Sequence, residues 1–432
     1  MRILLLAHGL PPDSVGGVEQ HVDGLARALV AAGHDVEIFA REGTPGLAEG
    51  TWRTTADGNP RITRVAYRWE RVPDLAAMYV SPPMATALRG FLRQRKEAGV
   101  HFAVAHVHHL TGMSTDSLGE LAAAGVPSVM TLHDYWLFCP RGQMFHQREE
   151  VCVTATVPRC GECLQRTWPG WVTTQNRDGQ ITAIHARALA ALAVPQRLVV
   201  PSARAIPPFE ALGVPRARFT VVENGVDTDA LAALPPPAIG PGPLRVGYLG
   251  TVMPSKGLHV LLAAAARLPA HRVAIRIHGN VVPYHGDASY ATRCFASLRP
   301  HDDVQYHGPY GLHDLPALLA GIDVLAAPAL WHEAFGLTVR EALAAARPVL
   351  VSRIGGLQDA VVDGEQGLVL PPGDVDAWAQ ALDRLAASPA TVRAMSQRAR
   401  PRARGFAAMA HDLLAVYREA AADFAATGHS RT

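Results

Sequence analysis

Short apolar runs alternate with helical patterns along nearly the whole chain, and no other feature restricts the fold as much. In the first half, residues 3–7, 36–40, 62–67, 104–108, 126–132, 198–201 and 219–223 read as strands. Most are short and continuously apolar, as expected of parallel strands buried on both faces. Between the first two lies an amphipathic helical pattern over residues 20–32, closed by Gly33 in the position that favours glycine at a helix end. A Pro/Gly-rich linker over residues 234–243 interrupts the series. It then restarts with strand signals at 244–249, 273–278, 304–307 and 324–327 and a helix over 258–268, and a further apolar run follows at 348–351. Alternation of this kind predicts βαβ units, and 432 residues exceed what one core usually serves. The expected architecture is α/β with two doubly wound, Rossmann-like domains. They span residues 1–225 and 244–405, joined by a linker over 226–243. A last helical stretch at about 411–425, within residues 406–432, is expected to cross back to the first domain. Ligands of open α/β sheets bind beyond the carboxyl ends of the strands, so the cleft between two such domains is the expected site.

Charge argues against one class of partner. The net charge is +2 and the pI about 8.3, without the clustered basic face that nucleic-acid binding needs. Of the 40 basic residues only Lys96 and Lys256 are lysines. The N-terminal apolar run is too short for a secretory signal and reads as a first buried strand, and no run approaches a membrane span. A cytoplasmic protein is expected. The stretch from Ala87 to Lys96 sets Arg89, Arg93, Arg95 and Lys96 beside Leu88, Phe91 and Leu92, a pattern that suits either peripheral contact with anionic lipid or a solvated helix over the first sheet.

The segment from His332 to Glu341 carries the densest chemistry. Glu333 and Glu341 stand eight positions apart around Phe335-Gly336-Leu337-Thr338, a turn that can open a helix after the strand at 324–327. Unpaired N–H groups at such an entry bind phosphate or sugar hydroxyls, and a carboxylate can accept both hydroxyls of a vicinal diol. A second candidate is the turn from Gly247 to Gly257, where Thr251 and Lys256 follow a strand; its spacing is not that of a Walker loop. Gly16 and Gly17 after the first strand would let backbone approach a ligand closely. His133, in Thr131-Leu132-His133-Asp134, ends another strand where it could meet a sugar hydroxyl. Cys160 and Cys163 have zinc-knuckle spacing, and with Cys139 and Cys152 they could close an all-thiolate zinc site in a stretch at about 138–172 that shows little periodicity. Four ordinary thiols, or a redox pair, are the alternatives there.

Together, Gly16-Gly17-Val18-Glu19, Asn224-Gly225-Val226-Asp227, Lys256-Gly257, Glu333-x7-Glu341 and Gly355-Gly356 resemble, in order and spacing, the retaining GT-B glycosyltransferases of the "glycosyl transferases group 1" family, or family 4. The resemblance spans about residues 1–415. It implies a nucleotide-sugar donor, with UDP favoured, and a hydroxyl acceptor of unspecified class in polysaccharide, glycolipid or natural-product synthesis. By carry-over, Glu341 would hold the ribose and Lys256 the diphosphate. Glu333 and the backbone of Phe335, Gly336 and Leu337 would hold the sugar, Tyr306 would lie by the base, Gly16 and Gly17 by the phosphate, and His133 by the transferred sugar. Catalysis would fall to His133, Lys256 and Glu333, with Thr338 among the donor contacts and no metal needed for transfer. One departure is Thr251, where the family commonly has arginine. A cysteine-bearing insertion also occurs in some relatives. A sugar-nucleotide epimerase of the same shape, or a non-catalytic sugar-nucleotide-binding module, are the competing expectations.

Overall fold

The computed structural model describes residues 1–43, 46–69, 72–299 and 302–427, so the last five positions of the expected C-terminal segment lie outside the described residues. The chain forms two compact units. Unit 1 holds Met1–Gly142, Val153–Gly225 and the chain from Phe406; unit 2 holds Gln143–Cys152 and Val226–Gly405. The second unit therefore includes ten residues, Gln143–Cys152, that the sequence reading assigns to the first domain. They are fixed there by Gln143, which accepts from the Tyr284 hydroxyl at 2.8 Å.

Unit 1 is built on strands β1 (Arg2–Ala7), β2 (Asp35–Glu42), β3 (Trp52–Asp57), β4 (Arg61–Ala66), β5 (Val104–Val107), β6 (Ser128–Thr131), β7 (Arg197–Val200) and β8 (Phe219–Val221). Their order in the sheet is β3-β4-β2-β1-β5-β6-β7-β8. All neighbours run parallel except β3, which is antiparallel to β4. Beta-3 is absent from the sequence reading for a physical reason: it is an edge strand, Trp-Arg-Thr-Thr-Ala-Asp, with mostly exposed side chains and no buried face to write an apolar pattern.

The sheet's core face shows why β1 reads so clearly. Ile3, Leu5 and Ala7 alternate onto one face and meet Val22, Leu25 and Leu29 of helix Gly17–Ala31. The same core takes in Leu413, Tyr417 and Ala420 of helix Phe406–Ala426, so this terminal helix belongs to unit 1. Each fully buried leucine contributes about 1.5–3 kcal/mol. Gly24 permits the crossing, because a Cβ there would stand 2.2 Å from the Phe406 ring.

Helix Pro82–Glu97 packs differently from the lipid-contact reading. Ala87, Leu88, Phe91 and Leu92 are buried, so the apolar face that would enter a bilayer is already packed within unit 1. Arg95 is bound to Glu37 at 2.5 Å and Arg89 to Glu120 at 2.6 Å. Among the described residues, no helix is long and apolar enough to cross a membrane.

Unit 2 is built on β9 (Leu244–Leu249), β10 (Val273–His278), β11 (Asp303–Tyr306), β12 (Val324–Ala327), β13 (Val349–Ser352) and β14 (Gly367–Leu370), ordered β11-β10-β9-β12-β13-β14 and wholly parallel. This is the doubly wound order in which the first strand lies centrally and the winding reverses beside it. The reversal falls between β9 and β12. The Asp323 carboxylate accepts from Arg245 there, 2.6 Å from Nη2, and ties the starts of those two strands together. The stretch at 138–172 is more regular than its sequence suggests. Pro158 opens helix Val157–Thr167, whose Gly161, Cys163 and Leu164 are buried.

The terminal helix is anchored by a buried polar contact. Tyr417 Oη lies 2.7 Å from His106 Nδ1, and His106 Nε2 lies 2.7 Å from Thr131 Oγ1. Tyr417→Phe strands the His106 nitrogen without water, so unfolding in urea is expected to show a loss of about 1–3 kcal/mol. A loss below a few tenths would show that the hydroxyl does not anchor the helix.

Candidate functional site

In unit 2 the candidate residues meet at the carboxyl ends of β9 and β12, the switch point of the sheet. After β9 the chain passes Thr251, whose carbonyl accepts from the Tyr248 hydroxyl at 2.9 Å, and enters the turn Pro254–Lys256. Gly257 follows with φ +71°, and a Cβ there would lie 1.9 Å from the Pro328 carbonyl oxygen. Only glycine lets the turn after β9 press so closely on the loop after β12. Leu330 N–H donates to the Ser255 carbonyl at 2.7 Å and closes the same seam.

That seam brings Lys256 onto Glu333. Nζ and Oε2 are 2.6 Å apart, with the lysine side chain 28% and the glutamate 15% exposed. The ammonium also lies 5.3 Å from the centre of the Trp331 ring. The sequence gives these residues separate roles; the structure joins them as a partly buried ion pair.

Glu333 is held from the other side by the glycine pair after β13. The Gly356 N–H donates to the Glu333 carbonyl at 2.7 Å. Gly355 has φ +51°, and a Cβ there would sit 2.3 Å from that carbonyl oxygen. Arg340, 1% exposed, completes the frame. Its guanidinium donates to the carbonyls of Phe335 and Gly356 and stacks over the Phe335 ring at 4.0 Å. Sequence reasoning missed this arginine, although its place between the two glutamates, inside a helix start, was visible.

Gly336, with φ +82°, precedes helix Leu337–Ala344, and no side chain caps that helix. Leu337 and Thr338 are its first residues, and their N–H groups face outward from the helix start. Glu341 lies one turn further in and is 8% exposed. Burial pushes its carboxyl up from 4.5 to about 7. The Tyr310 hydroxyl is pushed up by its own burial and then by the charge of the Glu341 carboxylate. Tyr306 ends β11, is 40% exposed, and donates its hydroxyl to the Gly279 carbonyl at 2.9 Å.

In unit 1, Gly16 precedes helix Gly17–Ala31, and a Cβ on Gly16 would meet the Glu19 carboxylate at 2.6 Å. His133 follows β6 and His108 follows β5, with His133 Nε2 3.3 Å from His108 Nδ1. His21, from helix Gly17–Ala31, packs on both rings at 4.7 and 5.1 Å between centres. Burial pushes His21 down to about 3. It also holds His8, His106, His108 and His133 well below the usual imidazole range, with neighbouring histidines adding to the effect. The sequence reading gives His133 its own role, and places His21 and His108 only within residues 16–21 and 106–114, stretches expected to face the acceptor. Of the four cysteines, Cys160 and Cys163 lie one turn apart on helix Val157–Thr167, Cys139 follows Phe138 in unit 1, and Cys152 ends the segment assigned to unit 2.

This geometry, a doubly wound sheet with a carboxylate, a lysine and an uncapped helix start at its switch point, fits the GT-B glycosyltransferases. Residues 15–230 match the family model described as Glycosyltransferase Family 4, and residues 235–402 match Glycosyl transferases group 1. The chain is 30% identical over 456 residues to the MMP alpha-(1->4)-mannosyltransferase of Mycolicibacterium hassiacum, covering 99% of this chain and 100% of that one. It is 29% identical over 410 residues to the glycogen synthase of Mycobacterium tuberculosis, covering 93% and 90%. The crystal structure of Anabaena HepE in complex with UDP matches with a TM-score of 0.66 at 16% identity, over 97% of this chain and 100% of that one. The chain belongs to glycosyltransferase family 4 and is a glycosyltransferase.

The Glu341 carboxyl sets a pH dependence. Its pKa in the folded protein is above its unfolded value, so folding takes up a proton between pH 4.5 and 7. The stability that this group contributes is fully present below pH 4.5 and is lost as pH rises through 7, a change of roughly 3 kcal/mol. Urea unfolding of the ligand-free protein at pH 5 and pH 8 is expected to show this fall in the wild type and its absence in Glu341→Gln. Equal pH slopes would contradict the buried, unpaired carboxyl.

Proposed function

We propose that the chain transfers a sugar from a nucleotide diphosphate sugar to a hydroxyl acceptor with retention of anomeric configuration, and that UDP is its preferred nucleotide. The observation that carries the reading is the Lys256–Glu333 pair at the switch point of the unit 2 sheet, beside an uncapped helix start. A nucleotide diphosphate sugar offers each partner a better-matched group. The diphosphate takes the lysine ammonium and the N–H groups of Leu337 and Thr338, and the sugar hydroxyls donate to the Glu333 carboxylate.

Glu341 would hold the ribose diol. Binding then favours its ionised form, because the diol hydroxyls donate to the carboxylate and replace the water it lost on burial. Tyr306, exposed at the end of β11, would border the base. That HepE of Anabaena was solved with UDP supports the choice of nucleotide.

In the transfer step the bond between the anomeric carbon and the diphosphate oxygen breaks. The acceptor oxygen bonds to the same face of the sugar, its proton passes to the departing phosphate, and negative charge grows on the diphosphate. Lys256 and the helix start at Leu337 would stabilise that charge, and Thr251 leaves this work to them where relatives commonly add an arginine.

The two carboxylates should separate by ligand. Calorimetry with UDP and with a UDP-sugar is expected to give Glu341→Ala a loss of tenfold or more, about 1.4 kcal/mol, for both ligands. Glu333→Ala should show it for the UDP-sugar alone. Equal weakening of UDP and UDP-sugar by Glu333→Ala would sink the division of roles. NMR of the product's anomeric signal tests retention directly, and isomerisation of the donor without acceptor would favour an epimerase.

A further inference from the structure

We propose that Gln143 is a positioning residue for Lys256: its side-chain amide clamps the loops after β9 and β10 together and so sets the turn that presents the lysine. The proposal rests on the donor site described above, and gives that site a residue that acts on the donor only through Lys256.

Both ends of the amide are used. Its Oε1 accepts from the Tyr284 hydroxyl at 2.8 Å, and its Nε2 donates weakly to Met253 Sδ at 3.6 Å. Tyr284 lies in the loop after β10 and Met253 in the loop after β9. Met253 also caps the turn Pro254–Lys256, where its carbonyl accepts from the Lys256 N–H at 3.1 Å. The residue that Gln143 grips is therefore the one that holds the lysine backbone.

Nearer the sheet the two loops are already joined. Val252 and Val281 form a parallel bridge, and the Val252 N–H donates to the Asn280 carbonyl at 2.9 Å. A Cβ on Gly279 would stand 1.9 Å from the Gly250 carbonyl oxygen. Gln143 fastens the same pair of loops one residue further out, at Met253, where the chain leaves the bridge for the turn.

The segment that carries Gln143 is braced as a hairpin within unit 2. Phe145 pairs antiparallel with Val151, the Cys152 N–H donates to the Met144 carbonyl at 2.8 Å, and the His146 N–H donates to the Glu150 carbonyl at 2.7 Å. Met144, next to Gln143 and 1% exposed, stands at φ +48°. Residues other than glycine keep such a left-handed conformation only where their surroundings over-determine it. Glu149 faces Arg293 of helix Ser289–Ala296 at 3.8 Å, but that pair is exposed and contributes little beside the partly buried Gln143 contacts.

Charge makes the fastening matter. Thr251 adds no cation to the turn, so the diphosphate depends on one ammonium. A lysine is a point charge on a flexible stem, and its grip on a phosphate follows from where its backbone is set.

The composition of the chain supplies the test. Lys256 shares the sequence with one other lysine, the exposed Lys96, so full-length protein labelled with 13C at lysine Cε gives two NMR signals. Lys256→Ala identifies which is which, and the Trp331 ring, 5.3 Å from the Lys256 ammonium, sets that signal apart. Gln143→Ala and Tyr284→Phe are each expected to move the Lys256 signal toward the position of Lys96 and to leave Lys96 unchanged. Calorimetry with UDP should show a loss of about tenfold for Gln143→Ala, within the roughly hundredfold that an ångström of misplacement can cost. The same substitution should add nothing when Lys256 is already alanine, because residues that act as one unit are not additive. Urea unfolding checks the fold of each variant, and Tyr284→Phe, which removes a single hydroxyl, decides the matter if Gln143→Ala does not fold. A Lys256 signal unmoved in the folded variants would overturn the proposal, as would a UDP loss that persists in full on the Lys256→Ala background. UDP binding indifferent to Lys256→Ala would instead remove the donor site, and the two NMR signals would still show whether Gln143 positions the lysine.

Discussion

The close approach of three backbone turns at the carboxyl ends of β9, β12 and β13 holds the unit 2 site together. Gly257 lies against the Pro328 carbonyl, Gly355 lies against the Glu333 carbonyl, and each contact is one that a Cβ would break. These contacts fix the Glu333 backbone and bring Lys256 to it. Arg340 donates its guanidinium to two carbonyls, so the loop before helix Leu337–Ala344 is shaped by protein donors while no side chain caps the helix start. Charge is arranged in the same economy. The ion pair neutralises both of its partners, and Glu341 is left buried with a raised pKa.

The parallel strands were legible because burial on both faces writes a continuous apolar run. Strands β9, β10 and β12 coincide with the runs at 244–249, 273–278 and 324–327. What escaped had a weaker or different imprint. Beta-3 is a polar edge strand, and β14 is four residues opened by a glycine. Helix Val157–Thr167 hid behind the chemistry of its cysteines, because Pro, Gly and Cys depress a helical reading although its buried face recurs at Cys163 and Leu164.

The site divides in the same way. Glu333, Glu341, Lys256 and the glycines stand out because their types and spacings carry chemistry at a strand end. Their pairing did not, since nothing in the order of residues says that an ammonium and a carboxylate 77 positions apart lie at 2.6 Å. Arg340 and the packing of His21 on His108 and His133 were hidden by their surroundings. A buried arginine looks like a helix surface residue until its carbonyl partners are known. Among 20 histidines, the unsatisfied nitrogens of His21 distinguish it only once the fold surrounds it.

The central claim is that the Lys256–Glu333 pair is the resting form of a donor site. The most direct measurement is a crystal structure with a non-transferable UDP-sugar analogue. The account predicts that the pair opens from its 2.6 Å contact, with the ammonium on the diphosphate and the carboxylate on sugar hydroxyls. A bound analogue beside an intact ion pair would contradict it.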